Sequence, residues 1–325
     1  MSPSPPRARL GRDDVLTGVH DLPLPGGGRT AERLAFLVDT ARDDLARVKL
    51  VESHLDAVAI SAEVAPSEAV ADGAWAVWAS EPPTARLTVD GAGDDVTLTG
   101  TKAFCSGAEV VDHALVTVPG DDGSRLFAID VASGRADGTI EVGPDAWVTH
   151  GMARSGTRTL ELTRIPARQV GPVGAYTSRP GFWHGAVGVA ACWHGGTLAV
   201  ADLLLASTRR RPDDPLAHRR LAEVAVEVAA TRALLLGAAE SIDRGEARTD
   251  AAAARLLAEV VRSRAASAAR HVLDVVRTAL GPGPLAFDPV ARDVTEDLAV
   301  FVLQHHGDRD LTSLGALVLA ADRPW

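Results

Sequence analysis

The chain has 325 residues, which exceeds the usual size of one domain, so two or three domains and a large core are expected. Lys and Arg total 33 against 43 Asp and Glu, and the net charge of −10 argues against nucleic acid as the main partner. No apolar run is judged long enough for membrane insertion and the N-terminus lacks a signal-peptide core, so a cytoplasmic location is expected.

The N-terminal region divides into two parts by composition. Residues 1–30 are rich in Pro, Gly and Arg without any period, which predicts a flexible tail, disordered or lying on another surface. Residues 31–73 carry apolar side chains at spacings of three and four up to about residue 63, which predicts one or two helices.

Residues 74–172 have the pattern of a small β domain. Short stretches of alternating apolar and polar residues are separated by Gly, Asp and Pro, which is typical of a sandwich or barrel. The predicted strands cover residues 74–79, 85–89, 96–104, 114–118, 125–129, 139–142 and 157–163.

Residues 173–325 are predicted to form a bundle of four to five helices. Ala, Leu and Val recur there at helical spacing, and Pro residues mark helix starts. The predicted helices cover residues 185–207, 212–244, 247–280, 290–304 and 308–321. The fold class is therefore α+β with several domains.

The strand that ends at Gly107 carries a candidate binding surface. Alternation places Phe104 and Ser106 on the same face, where a flat apolar ring and a hydroxyl suit a planar heteroaromatic ligand such as a flavin. The alternative is a core aromatic followed by a turn. The two cysteines, Cys105 and Cys192, have no metal-binding or disulfide spacing, so two free buried thiols and no metal site are expected.

Three segments resemble motifs of the acyl-CoA dehydrogenase family. The first is Ala79-Ser80-Glu81-Pro82, the second is the strand with Gly100-Thr101-Lys102, and the third runs from Gly151 through Ser155-Gly156-Thr157 to Ile165-Pro166-Ala167. They occur in the family's order, and the resemblance extends from about Trp75 to the end. It implies the family's architecture, here with a shortened N-terminal helical part.

The resemblance also implies FAD between the β domain and the helices. Ser80, Phe104 and Ser106 match positions that contact the flavin ring. Trp78 is a further aromatic candidate, and a core residue is the alternative for it. Arg210 and Arg211 stand near the place of an arginine that, in the family, reaches the cofactor's pyrophosphate from a neighbouring subunit. A solvated arginine cluster is the alternative. The family assembles as homodimers or homotetramers through its bundle, and a hetero-oligomer with a homologue is also open.

The glutamate that serves as catalytic base in the family is absent from both of its usual positions. Phe301 falls at one of them, and residues 181–186 at the other contain no carboxylate. The catalytic residue is therefore unassigned. The candidates are His305, His306, Glu296 and His184; the paired histidines are alternatively structural, since His⁺ favours a helix C-terminus.

The sequence thus predicts an FAD-dependent oxidoreductase that acts on an acyl-CoA or a similar thioester. Because the usual base is missing, two alternatives remain. One is a flavin-dependent monooxygenase of the same fold, which needs no such base. The other is a catalytically silent paralogue that serves as partner subunit of an active homologue.

Overall fold

A computed structural model describes residues 8–66, 70–93, 95–245 and 251–321. Its N-terminal part contains α1 (Arg12–Leu16), α2 (Thr30–Asp43) and α3 (Leu45–Val64). The helical run predicted from residue 31 divides at Asp44, whose backbone is extended and whose side chain accepts a hydrogen bond from the Arg47 N–H at 3.0 Å. Asp44 therefore caps the start of α3.

Residues 8–29 are not a free tail. Leu10 and Val15 pack in the same cluster as the β domain, and Val19 packs with the helices. Arg47 of α3 donates hydrogen bonds to the carbonyls of Asp14 and Thr17, at 2.9 and 2.8 Å. The remainder of the predicted tail, residues 1–7, lies outside the described residues.

All seven predicted strands are present, and they form one mixed sheet in the order β1-β4-β5-β7-β3-β2, with β6 paired to β7. The strands are β1 (Trp75–Trp78), β2 (Leu87–Asp90), β3 (Val96–Cys105), β4 (His113–Gly120), β5 (Gly123–Asp130), β6 (Ile140–Val142) and β7 (Arg158–Gln169), with α4 (Val131–Asp137) between β5 and β6. β1 and β4 are parallel, and the other pairs are antiparallel.

Helix α3 covers the outer edge of the sheet. Strand β1 is the last strand there, and its backbone N–H groups are bound by side chains of α3: Ser53 Oγ accepts from Val77 at 2.8 Å, and His54 Nδ1 accepts from Trp75 at 3.2 Å. An uncovered strand edge would leave these donors unpaired. These bonds fix α3 against the β domain.

The C-terminal part confirms the predicted bundle. It contains α5 (Ala175–Ser178), α6 (Pro180–Arg209), α7 (Pro215–Asp243), α8 (Ala251–Leu280), α9 (Pro282–Phe287), α10 (Pro289–Phe301) and α11 (Asp308–Ala320). Asp214 and Asp288 cap α7 and α10 by accepting backbone N–H bonds, and each is followed by Pro at the first helical position.

Helix α6 is the central helix of the molecule. No apolar run was expected to be long enough to cross a membrane, and this expectation was wrong by length and composition, because the helix Gly181–Arg209 is long and apolar enough, with a mean hydropathy of 1.4. In the fold α6 packs against α2 and α8, and 61% of that apolar window is buried inside the protein. A core helix of a globular protein has the same properties.

Candidate functional site

A cavity of about 660 Å³ lies where the three parts of the molecule meet. We call it the central cavity. Its wall comes from α3, the loop after β1, the end of β3, the segment before β7, and the C-terminal helices. The lining residues are Lys49, Glu52, Ser53, Asp56, Val77, Ala79, Ser80, Phe104, Ser106, Trp147, Met152, Ser155, Thr157, Tyr176, Val189, Val300, Phe301, Leu303, Gln304 and His306.

Phe104 projects into the central cavity from a strained position. The register of β3 against β7 shifts between Lys102 and Cys105, and Phe104 has φ of 58° within this bulge. The left-handed region is unfavourable for a residue with a Cβ, and bulges often redirect a side chain at a functional site. The ring is 57% exposed. The predicted placement of Phe104 at a binding surface thus has a structural basis.

A chain of hydroxyl groups lines the wall beside Phe104. Ser106 Oγ lies 2.9 Å from Thr157 Oγ1, which lies 2.9 Å from Ser155 Oγ. Ser155 Oγ donates to the carbonyl of Met152 at 2.7 Å. Because Ser155 donates its proton to that carbonyl, Thr157 must donate to Ser155 and Ser106 must donate to Thr157, so the Ser106 oxygen is left to accept a hydrogen bond from the cavity side. The sequence pattern predicted Ser106, whereas Ser155 and Thr157 were recognised only as part of a family motif.

Ser80 and Trp78 lie on opposite sides of the cavity wall. Ser80 lines the cavity together with Val77 and Ala79. Trp78 is 2% exposed and packs in the core of the β domain, where its Nε1 donates to the carbonyl of Ser106 at 3.0 Å. It therefore holds Ser106 in place from behind. Trp147, which the sequence reading did not select, supplies an aromatic side chain to the cavity instead.

One face of α3 presents four polar side chains to the central cavity. Lys49, Glu52, Ser53 and Asp56 recur at spacings of three, one and three, which places them along one side of the helix. The prediction from the sequence missed this polar face because it rested only on the spacing of the apolar residues. The detectable signal was a polar stripe on a helix whose other faces are buried.

The two carboxylates of this face differ in their partners. Asp56 is bound by the Arg179 guanidinium at 3.1 Å, and Arg179 also binds Glu63 at 3.0 Å. Glu52 has no such bond among the described residues. Burial raises the pKa of Glu52 to about 7, opposed by the charges of Lys49, Arg33 and Arg262. Burial also raises the pKa of Asp56.

A second cavity of about 450 Å³ adjoins the central one. The two share Glu52, Asp56, Tyr176 and Val189 in their walls. Beyond this junction the second cavity is lined by side chains of α6, α8 and α11 and of the segment between α10 and α11: Phe182, Trp183, Gly185, Ala186, Arg255, Glu259, Arg262, Ser263, His305, Arg309, Asp310 and Ser313.

The histidine candidates lie in different places. His306 lines the central cavity, with Nδ1 at 3.4 Å from Asp310. His305 is buried in the wall of the second cavity, where its ring bonds Ser263 Oγ at 3.1 Å and accepts from the Gly307 N–H at 3.2 Å. Burial lowers the pKa of His305. Its two ring bonds indicate a neutral, structural imidazole.

Two other catalytic candidates are outside the central cavity wall. His184 is buried and lines neighbouring cavities with Pro25 and Gly185. Glu296 is on α10. Its backbone carbonyl oxygen packs against Gly151, and a Cβ added to Gly151 would lie 2.4 Å from that oxygen. Asp297, its neighbour, accepts a 2.6 Å hydrogen bond from the Met152 N–H. Burial raises the pKa of Asp297 to about 6.

The predicted phosphate-binding residues are remote from the cavity within this chain. Arg210 and Arg211 lie just beyond α6, and Arg211 binds Asp214 at 3.1 Å and Ser207 Oγ at 3.3 Å. Cys105 and Cys192 are buried and form no disulfide, and burial raises the pKa of both thiols.

This arrangement defines an acyl-CoA dehydrogenase-like fold. Residues 174–274 match the family model described as acyl-CoA dehydrogenase, C-terminal domain, so the predicted family resemblance is confirmed for a divergent chain. No curated protein matches the sequence.

Solved structures share this fold along most of the chain. Nitrososynthase from Micromonospora carbonacea var. africana has a TM-score of 0.76 at 19% identity and covers 96% of this chain and 88% of its own. TdsC from Paenibacillus sp. A11-2, solved with FMN and indole, has a TM-score of 0.75 at 17% identity and covers 90% and 84%. HsaA monooxygenase from M. tuberculosis has a TM-score of 0.69 at 17% identity and covers 96% and 92%.

Proposed function

We propose that the chain is a flavin-dependent oxidoreductase whose isoalloxazine ring binds in the central cavity. The observation that carries this proposal is the exposed Phe104 ring, held in a left-handed conformation next to the hydroxyls of Ser106 and Thr157. A flat apolar surface beside hydrogen-bonding groups is what a buried flavin ring requires.

The residues present fit such a group. A volume of about 660 Å³ is within the usual range of cofactor sites, and the wall combines aromatic rings with a few convergent polar groups. Ser80, Ser106 and Thr157 would hold the polar edge of the ring, and Phe104 and Trp147 would contact its apolar part. The flavin, when bound, supplies the electron-transfer chemistry, while these side chains bind and orient it.

Monooxygenation is the reaction that we favour. Two of the structures with this fold are named as monooxygenases, one of them solved with FMN. The two positions where the family carries its base hold no carboxylate, which argues against ordinary α,β-dehydrogenation. Oxidation of an acyl-CoA is the second candidate, supported by the match of residues 174–274 to the acyl-CoA dehydrogenase model.

The test is a flavin titration of the purified full chain. FAD and FMN are each added to the wild type and to the S106A/T157V variant, and binding is followed through the visible flavin bands and the flavin fluorescence. We expect the double variant to lose roughly tenfold or more in affinity, because two hydroxyl partners are removed. T88V is the control, since Thr88 is an exposed hydroxyl on β2.

The outcomes separate the candidates. Binding by the wild type and its loss in S106A/T157V support the flavin site, and bleaching of the bound flavin by an acyl-CoA without an external reductant would favour dehydrogenation. A wild type that binds neither FAD nor FMN would contradict both the monooxygenase and the dehydrogenase hypotheses. The silent partner subunit would then be the better description.

A further inference from the structure

Glu52 occupies the junction between the two cavities. It lines both the central and the second cavity, and also the small cavity that contains Arg33. Among the titratable groups that the structure describes, only Asp56 also lines all three of these cavities, and Asp56 is already bound to Arg179. Among the described residues, therefore, Glu52 is the carboxylate at this junction that is available to a ligand.

The Glu52 carboxylate has no hydrogen bond or ion pair with any described residue. The Glu52 side chain is partly buried and its oxygens remain accessible from the cavities, so a ligand there can supply the hydrogen bond that no protein group makes. The charged groups around it do not make direct bonds to it. Arg33 donates to the carbonyl of Pro23 at 3.2 Å, and Arg262 donates to the carbonyl of Gln304 at 3.1 Å.

The titratable groups that face Glu52 come from five helices. They are Arg33 on α2, Lys49 and Asp56 on α3, Tyr176 on α5, Cys192 on α6 and Arg262 on α8. Three are cations, so the ionised carboxylate is tolerated in spite of its burial. Glu52 can therefore exist in both protonation states near neutral pH, as a proton acceptor must.

Aromatic rings line both sides of the junction. Phe104, Trp147 and Phe301 are in the wall of the central cavity, and Tyr176, Phe182 and Trp183 are in the wall of the second. Phe182 packs edge-on against both Tyr176 and Trp183, with ring centroids 5.3 and 5.0 Å apart. A flat ring compound is the ligand that such walls accommodate.

We propose that Glu52 accepts a hydrogen bond, and then the proton, from an O–H group on a ring substrate that lies across the junction. The inference rests on the proposed function. In this step the substrate O–H bond breaks, its electron pair stays on the oxygen, and the proton forms a new O–H bond on a Glu52 carboxylate oxygen. The substrate becomes the more nucleophilic anion, which is the form that an electrophilic oxidation requires.

The experiment compares two ligands that differ only in the O–H group. Binding of 2-naphthol and of 2-methoxynaphthalene to the full chain is measured by calorimetry, with and without flavin. The measurements are made at about pH 8, where Glu52 is mostly ionised, and at about pH 5.5, where Glu52 is mostly protonated. The variants are E52Q, the conservative E52D, and E240Q, the same substitution at an exposed site on α7.

We expect the wild type at pH 8 to bind 2-naphthol roughly tenfold more tightly than its methyl ether, and this preference to fall at pH 5.5. E52Q should lower the preference for 2-naphthol to less than about threefold without weakening the binding of the methyl ether. E52D should keep part of the preference, and E240Q should show the same preference as the wild type. A wild type that binds neither ligand, or binds both equally, would overturn the proposal. Equal weakening of both ligands in E52Q would show a structural role only.

The flavin titration distinguishes this proposal from the proposed function. E52Q should bind flavin within about twofold of the wild type, because Glu52 is placed toward the substrate. If the wild type binds no flavin, the proposed function fails, yet the naphthol comparison on the flavin-free chain still decides whether Glu52 accepts the hydrogen bond. If flavin binds and the preference is absent, only the role of Glu52 is wrong.

Discussion

The backbone of Phe104 has a strained, left-handed conformation at the point where its ring enters the central cavity. A left-handed conformation costs a residue with a Cβ about 1–2 kcal/mol relative to glycine. The ring is largely exposed, so it returns little packing energy in the free protein. Strain of this kind persists when a bound ligand uses the side chain.

The F104G variant should therefore be more stable and bind flavin less well. We expect the free energy of unfolding to rise by about 1 kcal/mol in denaturant titrations, while flavin affinity falls at least about tenfold. R164G is the control, because Arg164 is exposed and also has a positive φ, 50°. It should gain stability without a change in flavin affinity; loss of stability in F104G would show that the ring supports the fold.

At the residue scale, the sequence predicted part of the site. Phe104, Ser106 and Ser80 could be found because strand alternation and motif order are local properties. Trp78 packs in the core of the β domain, which was the alternative to a binding role, and alternation alone does not say which face of β1 meets that core. Glu52 and Lys49 show in the sequence only as a polar stripe on α3, since which face of α3 meets a cavity depends on strands and helices distant in sequence.

At the scale of elements, α3 belongs both to the fold and to the site. Its Ser53 and His54 close the edge of β1, while Glu52 and Asp56 on the same helix face the cavity. Stability and function are therefore coupled through this helix. The protonation of Glu52 should be visible in the stability of the whole chain.

The pH dependence of stability has a definite sign for Glu52. Its pKa is raised from 4.5 in the unfolded chain to about 7 in the folded one, so the folded state binds the proton more tightly. The stability contributed by that proton is present below about pH 4.5 and is lost as the pH rises to about 7. E52Q should therefore gain up to about 3 kcal/mol over the wild type between pH 5 and pH 8.

Urea unfolding of wild type, E52Q and E240Q at a series of pH values measures this difference. His54 and His194, whose pKa values burial lowers to about 4, act in the opposite direction below pH 6.5, but they do so equally in all three proteins. A constant offset between wild type and E52Q across this range would mean that Glu52 has an ordinary pKa in the folded chain.

The packing of α6 on α2 and α3 depends on two small residues. A Cβ on Gly195 would lie 2.3 Å from the carbonyl oxygen of Val38, and one on Gly196 would lie 2.7 Å from a Leu45 methyl group. The G195A variant should thus lose about 1–3 kcal/mol of stability, because the backbone of α2 must move. G237A on α7, where a Cβ meets nothing within 4 Å, should gain up to about 1 kcal/mol. Thermal unfolding compares the two, and similar effects from both would contradict the close α2–α6 approach.

At the scale of the whole molecule, the strands and long helices were predictable because periodicity is strong in them. The course of residues 8–29 was not, since isolated apolar residues such as Val15 and Val19 anchor a segment without any period. The joining of seven strands into one sheet depends on β7, which pairs with β3 on one side and with β5 and β6 on the other. Such pairing is set by tertiary contacts.

The assembly of the chain into oligomers can be tested together with its cofactor specificity. The family resemblance predicts a homodimer or homotetramer in which Arg210 and Arg211 reach the pyrophosphate of FAD on a neighbour. We expect light scattering to show a dimer or larger species, and R210A/R211A to weaken FAD about tenfold while FMN, which has no pyrophosphate, is unaffected. R219A, at an exposed arginine of α7, is the control. A monomer, or equal loss of both flavins, would contradict this arrangement.

The burial of α6 has a consequence for the order in which the protein is made. Two of its packing partners, α2 and α3, precede it on the ribosome, whereas the partner with which it packs most extensively, α8, starts at Ala251 and follows only after the whole of α7. During that interval an unusually apolar helix lacks its main packing partner. The nascent chain is then a substrate for chaperones and for the machinery that recognises membrane segments, so we expect chains that end before α8 to aggregate or to associate with membranes, and full-length chains to escape this once α8 has docked.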